Sequence, residues 1–278
     1  MSQLPELPAI RRRGEQCRLA GDPAAAELLL RDALAIVEGE LSADPRAVGN
    51  ALNALGLACK DLARYEESHA YYQRALALLE PAARSASDWH DVATLYHNLG
   101  GIAHESGDYL QGEAHARRGI EIRSAIGDPD ESALAADFVA LAAILDGQRR
   151  YAEAEPLYRD ALEIFECDPE RHRWDIAVAH NDLGASFVQR GDLEVATDHL
   201  SRALALKRAA LAPGHPDIAV TLNNLAVVQG RSGAWASAAV SYRDALELFE
   251  RALGARHPRS LTCRENLARC LERQRCVV

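Results

Sequence analysis

The chain has 278 residues, of which 48% are hydrophobic, 26% charged and only 5% aromatic. Alanine, leucine, glutamate and arginine dominate, a mixture that favours helix at nearly every position and excludes a sheet-based fold. The formal charge of −10, from 41 acidic against 31 basic residues, argues against nucleic-acid partners, because that affinity comes from clustered lysine and arginine.

In chain order, Arg11-Arg12-Arg13 could suggest a twin-arginine export signal, but Gly14-Glu15-Gln16-Cys17-Arg18 follows where an apolar segment is required. No signal peptide is expected, and the cytoplasm is the expected compartment. A first helical hairpin is predicted over about 7–40, then hairpins over about 45–83, 88–126, 130–166, 172–211 and 215–253, with a closing helix over about 257–275, all in one domain spanning 1–278. Asp91, Asp175 and Asp217 stand at matching starts of first helices, where a carboxylate is expected to cap free N–H groups. The longest apolar stretch, Leu134 to Leu145, is too short for a bilayer and is interrupted by Asp137, so no membrane partner is expected. The final helix carries Arg264, Glu265, Arg269, Glu272, Arg273 and Arg275, polar enough to close an open stack against association.

These boundaries come from an internal period. Comparing 173–214 with 215–256 gives 13 identities in 42, where composition alone gives ~4. Leu55, Leu99, Leu141, Leu183, Leu225 and Leu267 recur at the same register, each followed by glycine or alanine. A second series is Ala33, Ala75, Gly119, Ala161, Ala203 and Ala245, and a third is Gly21, Ala63, Gly107, Arg149, Gly191 and Gly233. The leucine belongs to a first helix, the third series to a tight turn, and the alanine to a second helix, with small residues where helix axes must approach closely. Ala154, Leu157, Tyr158, Ala161, Leu162 and Phe165 form one stripe at period 3.6.

The pattern resembles the tetratricopeptide repeat, in its 42-residue kinesin-light-chain form. His215-Pro216-Asp217-Ile218-Ala219-Val220-Thr221-Leu222-Asn223-Asn224-Leu225-Ala226 is similar to that family's first helix, and the segment Tyr151 to Ile164 to its second. Val139-Ala140 replaces the asparagine pair in one repeat, Arg173-Trp174 replaces His-Pro in another, and the long heptad segment of a kinesin light chain is missing. The resemblance implies an all-α fold, an α-solenoid of stacked hairpins wound as a right-handed superhelix, whose first-helix asparagines contact bound peptide.

Phosphate-loop, dinucleotide, serine-hydrolase and zinc-protease motifs are absent, so no enzyme activity and no cofactor is expected. His90, His97 and His104 recur every seven residues, but that spacing separates neighbours by about 10 Å, too far for one metal ion. The six cysteines form no C-x-x-C pair and are expected to be free thiols. Function is therefore sought in a concave groove of first helices. Asn53, His97, Asn181 and Asn223 stand two residues before the shared leucine, Asn50, Thr94, Lys60 and His104 share their face, and Arg231 lies one step further round. Outward-facing amides offer donor and acceptor to an extended backbone. The expected role is an adaptor or scaffold that holds a peptide segment or helix of a partner protein. The alternative is a sensor whose curvature responds to a peptide or effector, and a third is an enzyme or metal protein.

Overall fold

The computed structural model describes residues 7–39, 44–127 and 130–277, and every regular element among them is helical. The expected end of the first hairpin at 40 lies outside the described residues. The chain divides into two compact units, Met1–Leu157 and Tyr158–Val278. The first contains α1 (Leu7–Leu19), α2 (Pro23–Glu38), α3 (Pro45–Asp61), α4 (Tyr65–Leu79), α5 (Ala86–Ser106), α6 (Tyr109–Ser124) and α7 (Glu131–Gly147). After α8 (Tyr151–Phe165), the second contains α9 (Arg173–Arg190), α10 (Leu193–Ala210), α11 (Pro216–Arg231), α12 (Trp235–Leu253) and α13 (Pro258–Val277).

Within each unit, helices adjacent in sequence pack on one another, and first helices also meet directly: α1 with α3, α3 with α5, α5 with α7, and α9 with α11. Within each unit the first helices thus form a continuous layer. The shared residues Leu55, Leu99, Leu141, Leu183 and Leu225 are buried, as are Ala33, Ala75, Ala161, Ala203 and Ala245. The small residue after the leucine has a steric cause. A Cβ on Gly56 would lie 2.5 Å from Tyr72 Cε1, and one on Gly184 2.8 Å from Leu200 Cγ, so a larger side chain would push the second helix outward.

All six residues of the turn series adopt left-handed backbone: Gly21, Gly107, Gly191 and Gly233, and also Ala63 at φ 58° and Arg149 at φ 61°. A left-handed residue terminates the first helix and lets the next N–H reach back, as Asp108 N does to Ala103 O at 2.8 Å. Alanine and arginine accept some Cβ strain to make the same turn.

The aspartate caps need correction. The cap of α5 is a reciprocal box of Ser85 and Asp88, and Asp91 lies more than a turn inside the helix, paired with Arg46 at 2.8 Å. Backbone N–H groups of Arg84 and Ser85 hold the Asp88 carboxyl down at about 2. In α11 the cap is His215, whose Nδ1 accepts from Asp217 N at 3.2 Å, and α13 repeats this with His257 and Arg259 N. His172 occupies the cap of α9 and its ring meets Asp175 at 3.2 Å. In α11 an imidazole acceptor does the work expected of Asp217, because the His215-Pro216 pair places it one residue before the helix, whereas His172 makes no such cap bond.

Candidate functional site

In the first unit, α1 and α3 flank a groove of about 580 Å³ that also touches α5. Asn50 and Asn53 line it together, with Arg11, Arg12, Leu57 and Asp91 among their neighbours. Asn53 Oδ1 accepts from Asn98 Nδ2 at 2.7 Å, which leaves its own amide N–H groups for other partners. The groove's two carboxylates are already engaged: Glu15 by Arg18 at 2.8 Å and Asp91 by Arg46. Arg11 and Arg12 hold no carboxylate among the described residues, so the groove presents two guanidinium groups.

Further along α5 the candidate residues serve contacts inside the stack. His97 Nδ1 meets Asp137 Oδ1 at 2.8 Å, while the other oxygen of Asp137 accepts from Arg123 Nε at 2.7 Å. Arg123 Nη1 lies 3.2 Å from His90 Nδ1. Arg123 and Asp137 are buried, whereas the His97 side chain keeps 32% of its surface. A carboxylate inside the most apolar helix is tolerable only with such a counter-ion. Thr94 donates to His90 O of its own helix at 2.9 Å, and the His104 ring lies 5.7 Å from that of Tyr109. Lys60 is half-buried, and a Cβ on Gly101 would come within 3.2 Å of its ammonium.

In the second unit the outward-facing expectation fails for Asn181, which is buried. Its Oδ1 accepts from Thr221 Oγ1 at 2.9 Å and Asn224 Nδ2 at 3.4 Å, and its Nδ2 donates to Asp182. Asn223 is half-buried and accepts from Asn266 Nδ2 at 3.4 Å. Arg231 donates to Val188 O at 2.5 Å. A second concavity, about 390 Å³, opens between α11, α12 and α13. Elsewhere in this unit His180 and His199 share a hydrogen bond between their Nδ1 atoms at 2.9 Å, and burial of His180, then the neighbouring ring, pushes it down to about 4. Burial also lowers the Lys207 ammonium, which donates to Asp217 O at 3.3 Å.

Sequence reasoning missed Asn98, Asn224 and Asn266, one residue before the shared leucine, which supply the donors to the asparagines it chose. It also missed the Arg123–Asp137 pair, although an aspartate inside an otherwise apolar run was a usable signal. All six cysteines are free. Among the described residues no group of three side chains could hold a metal ion, and no helix is long and apolar enough to cross a membrane.

Paired helices repeated at a fixed period, with polar residues on the faces of the first helices, define a helical-hairpin repeat protein. The chain belongs to the tetratricopeptide repeat family, whose model matches residues 6–80, 91–166 and 175–251. It is 24% identical over 218 residues to the protein kinesin light chain-related 2 of Arabidopsis thaliana, covering 77% of this chain and 32% of that protein. The chain thus spans about a third of the length of that relative. Among solved structures, BtubC (BKLC) from P. vanneervenii superposes with a TM-score of 0.56 at 19% identity, covering 93% of this chain and 94% of that one. A Rap protein complexed with competence and sporulation factor gives 0.67 at 15% identity, covering 97% and 77%. NprR in complex with its cognate peptide NprX gives 0.67 at 14%, covering 96% and 70%. Likeness at these identities concerns the fold.

Proposed function

We propose that the chain is a non-enzymatic protein-interaction adaptor that takes a peptide segment or helix of a partner in its first-helix grooves. The observation that carries this reading is the α1–α3 groove, where Asn50 and Asn53 stand together beside Arg11 and Arg12, two guanidinium groups without carboxylate partners among the described residues. The amides suit an extended backbone and the arginines suit acidic side chains on it. His97, at the accessible edge of the Asp137 cluster, and Lys60 extend the polar surface along α3 and α5, with Thr94 and His104 as flanking contacts. In the second unit Asn223 and Arg231 remain reachable, while Asn181 acts as an internal strut.

A sensor role is the second reading, supported by one specific likeness: the similar NprR structure contains its cognate peptide. A peptide-display library selected against the chain tests the main reading. The selected peptides are expected to be rich in Asp and Glu, and Arg11→Ala with Arg12→Ala and Asn50→Ala should weaken them about tenfold or more, 1.4 kcal/mol or above, with helical circular dichroism unchanged. Undiminished affinity in that variant would place binding elsewhere.

A further inference from the structure

The α1–α3 groove leaves unexplained the concavity between α11, α12 and α13. Its floor is apolar and aromatic, with Trp235, Tyr242 and Val227, and its rim holds Arg231, Arg269 and Arg273. No residue lining it is acidic. Arg231 is oriented by the carbonyl of Val188 and Arg269 by Asn266 Oδ1 at 2.6 Å, both uncharged acceptors. Arg273 holds no partner among the described residues. Several other arginines meet carboxylates: Arg18 meets Glu15, Arg46 Asp91, Arg64 Glu67, Arg123 Asp137, Arg150 Glu153 and Arg264 Glu250. In a chain with an excess of ten acidic residues, this cavity gathers three guanidinium groups and no carboxylate.

Arg269 and Arg273 are also four residues apart on one helix, where like charges repel. A bound anion removes that repulsion. One carboxylate offers two oxygens and a single charge, whereas a phosphate monoester offers three oxygens and close to two charges, matching forks that approach from two helices. The cavity is much larger than a phosphate group, and its floor suits the apolar body of an attached side chain. From the three arginines that line the cavity without a carboxylate partner among the described residues, beside Trp235 and Tyr242, we infer that this cavity binds a phosphorylated side chain of a partner peptide. The site is independent of the α1–α3 groove.

The test measures fluorescence anisotropy of a degenerate peptide pool carrying a central phosphoserine or phosphotyrosine, against the same pool unphosphorylated and a pool with glutamate at that position. The phosphorylated pool is expected to bind about tenfold or more tightly than either control, and Arg269→Gln with Arg273→Gln, both on the exposed face of α13, should abolish the difference. Arg11→Ala with Arg12→Ala should leave it unchanged, which separates this site from the first groove. Equal binding of the glutamate pool, displacement by inorganic phosphate as effective as by phosphopeptide, retention of the preference in the double glutamine variant, or no binding of the phosphorylated pool would each overturn the inference.

Discussion

The same slot in the repeat carries two chemistries. In the step from α3 to α5 an amide meets an amide, Asn98 on Asn53 at 2.7 Å, and in the second unit Asn224 reaches Asn181 and Asn266 reaches Asn223, both at 3.4 Å. From α5 to α7 the slot holds His97 instead, and Asp137 meets it from the next helix with Arg123 as counter-ion. Thr221 stands at the register position of Asp137 and reaches Asn181 in the same manner. The geometry of neighbouring repeats therefore constrains where a polar pair sits and leaves its charge free to vary. A neutral pair costs little to lose, whereas an ionic pair, once buried, binds its members to one another.

The largest effect is expected from breaking the ionic step. Asp137→Ala leaves Arg123 buried without its counter-ion and should cost ~3–5 kcal/mol, while replacing both residues together with apolar ones of similar volume should recover most of that loss. Urea denaturation followed by circular dichroism measures both, and a double variant no more stable than Asp137→Ala would show that desolvated charge is not what the pair manages.

A smaller effect is expected from pH acting on the second unit's histidine pair. Since the folded chain holds His180 down at about 4 against ~6.5 when unfolded, the unfolded chain binds the extra proton between these values. The stability that neutral His180 contributes is full above the unfolded value and is lost as pH falls toward 4. His180→Leu should flatten the denaturation midpoint across this window, and a profile as steep as the wild type would exclude the histidine pair as its source.

The smallest effect grades the amide steps. Asn98→Ala removes the 2.7 Å bond and should cost about 1 kcal/mol, and Asn266→Ala, at 3.4 Å, a few tenths at most. Equal losses would mean that side-chain burial, and not the amide contact, sets the cost.

The helices and their register were legible because they rest on sterics that recur: Leu55 with Gly56, Ala75 against the first helix, and the turn at Gly107. Even Ala63 and Arg149 kept their place in the turn series although neither is the residue that a left-handed backbone favours. The grooves were legible in part. Asn50 and Asn53 do line one, but Asn181 is enclosed because Thr221 and Asn224 come from a hairpin 40 or more residues away, a contact that periodicity locates without saying which partner closes over which. Arg11 and Arg12 could be read only as a failed export signal until α1 was seen beside α3.

The three amide steps have a common polarity: in each, the later repeat gives the hydrogen and the earlier repeat receives it. A hairpin that carries an asparagine at both positions therefore presents a receiving end to the next hairpin and a giving end to the previous one. Tandem duplication of such a segment inserts a unit whose two joints are already complementary, so lengthening the array by whole repeats needs no compensating substitution at the new seams. The hairpin bearing His97 lacks that interchangeability, since copying it without Asp137 strands Arg123. Growth by duplication is accordingly easiest where the seam is neutral, and the charged seam tends to keep its neighbours fixed.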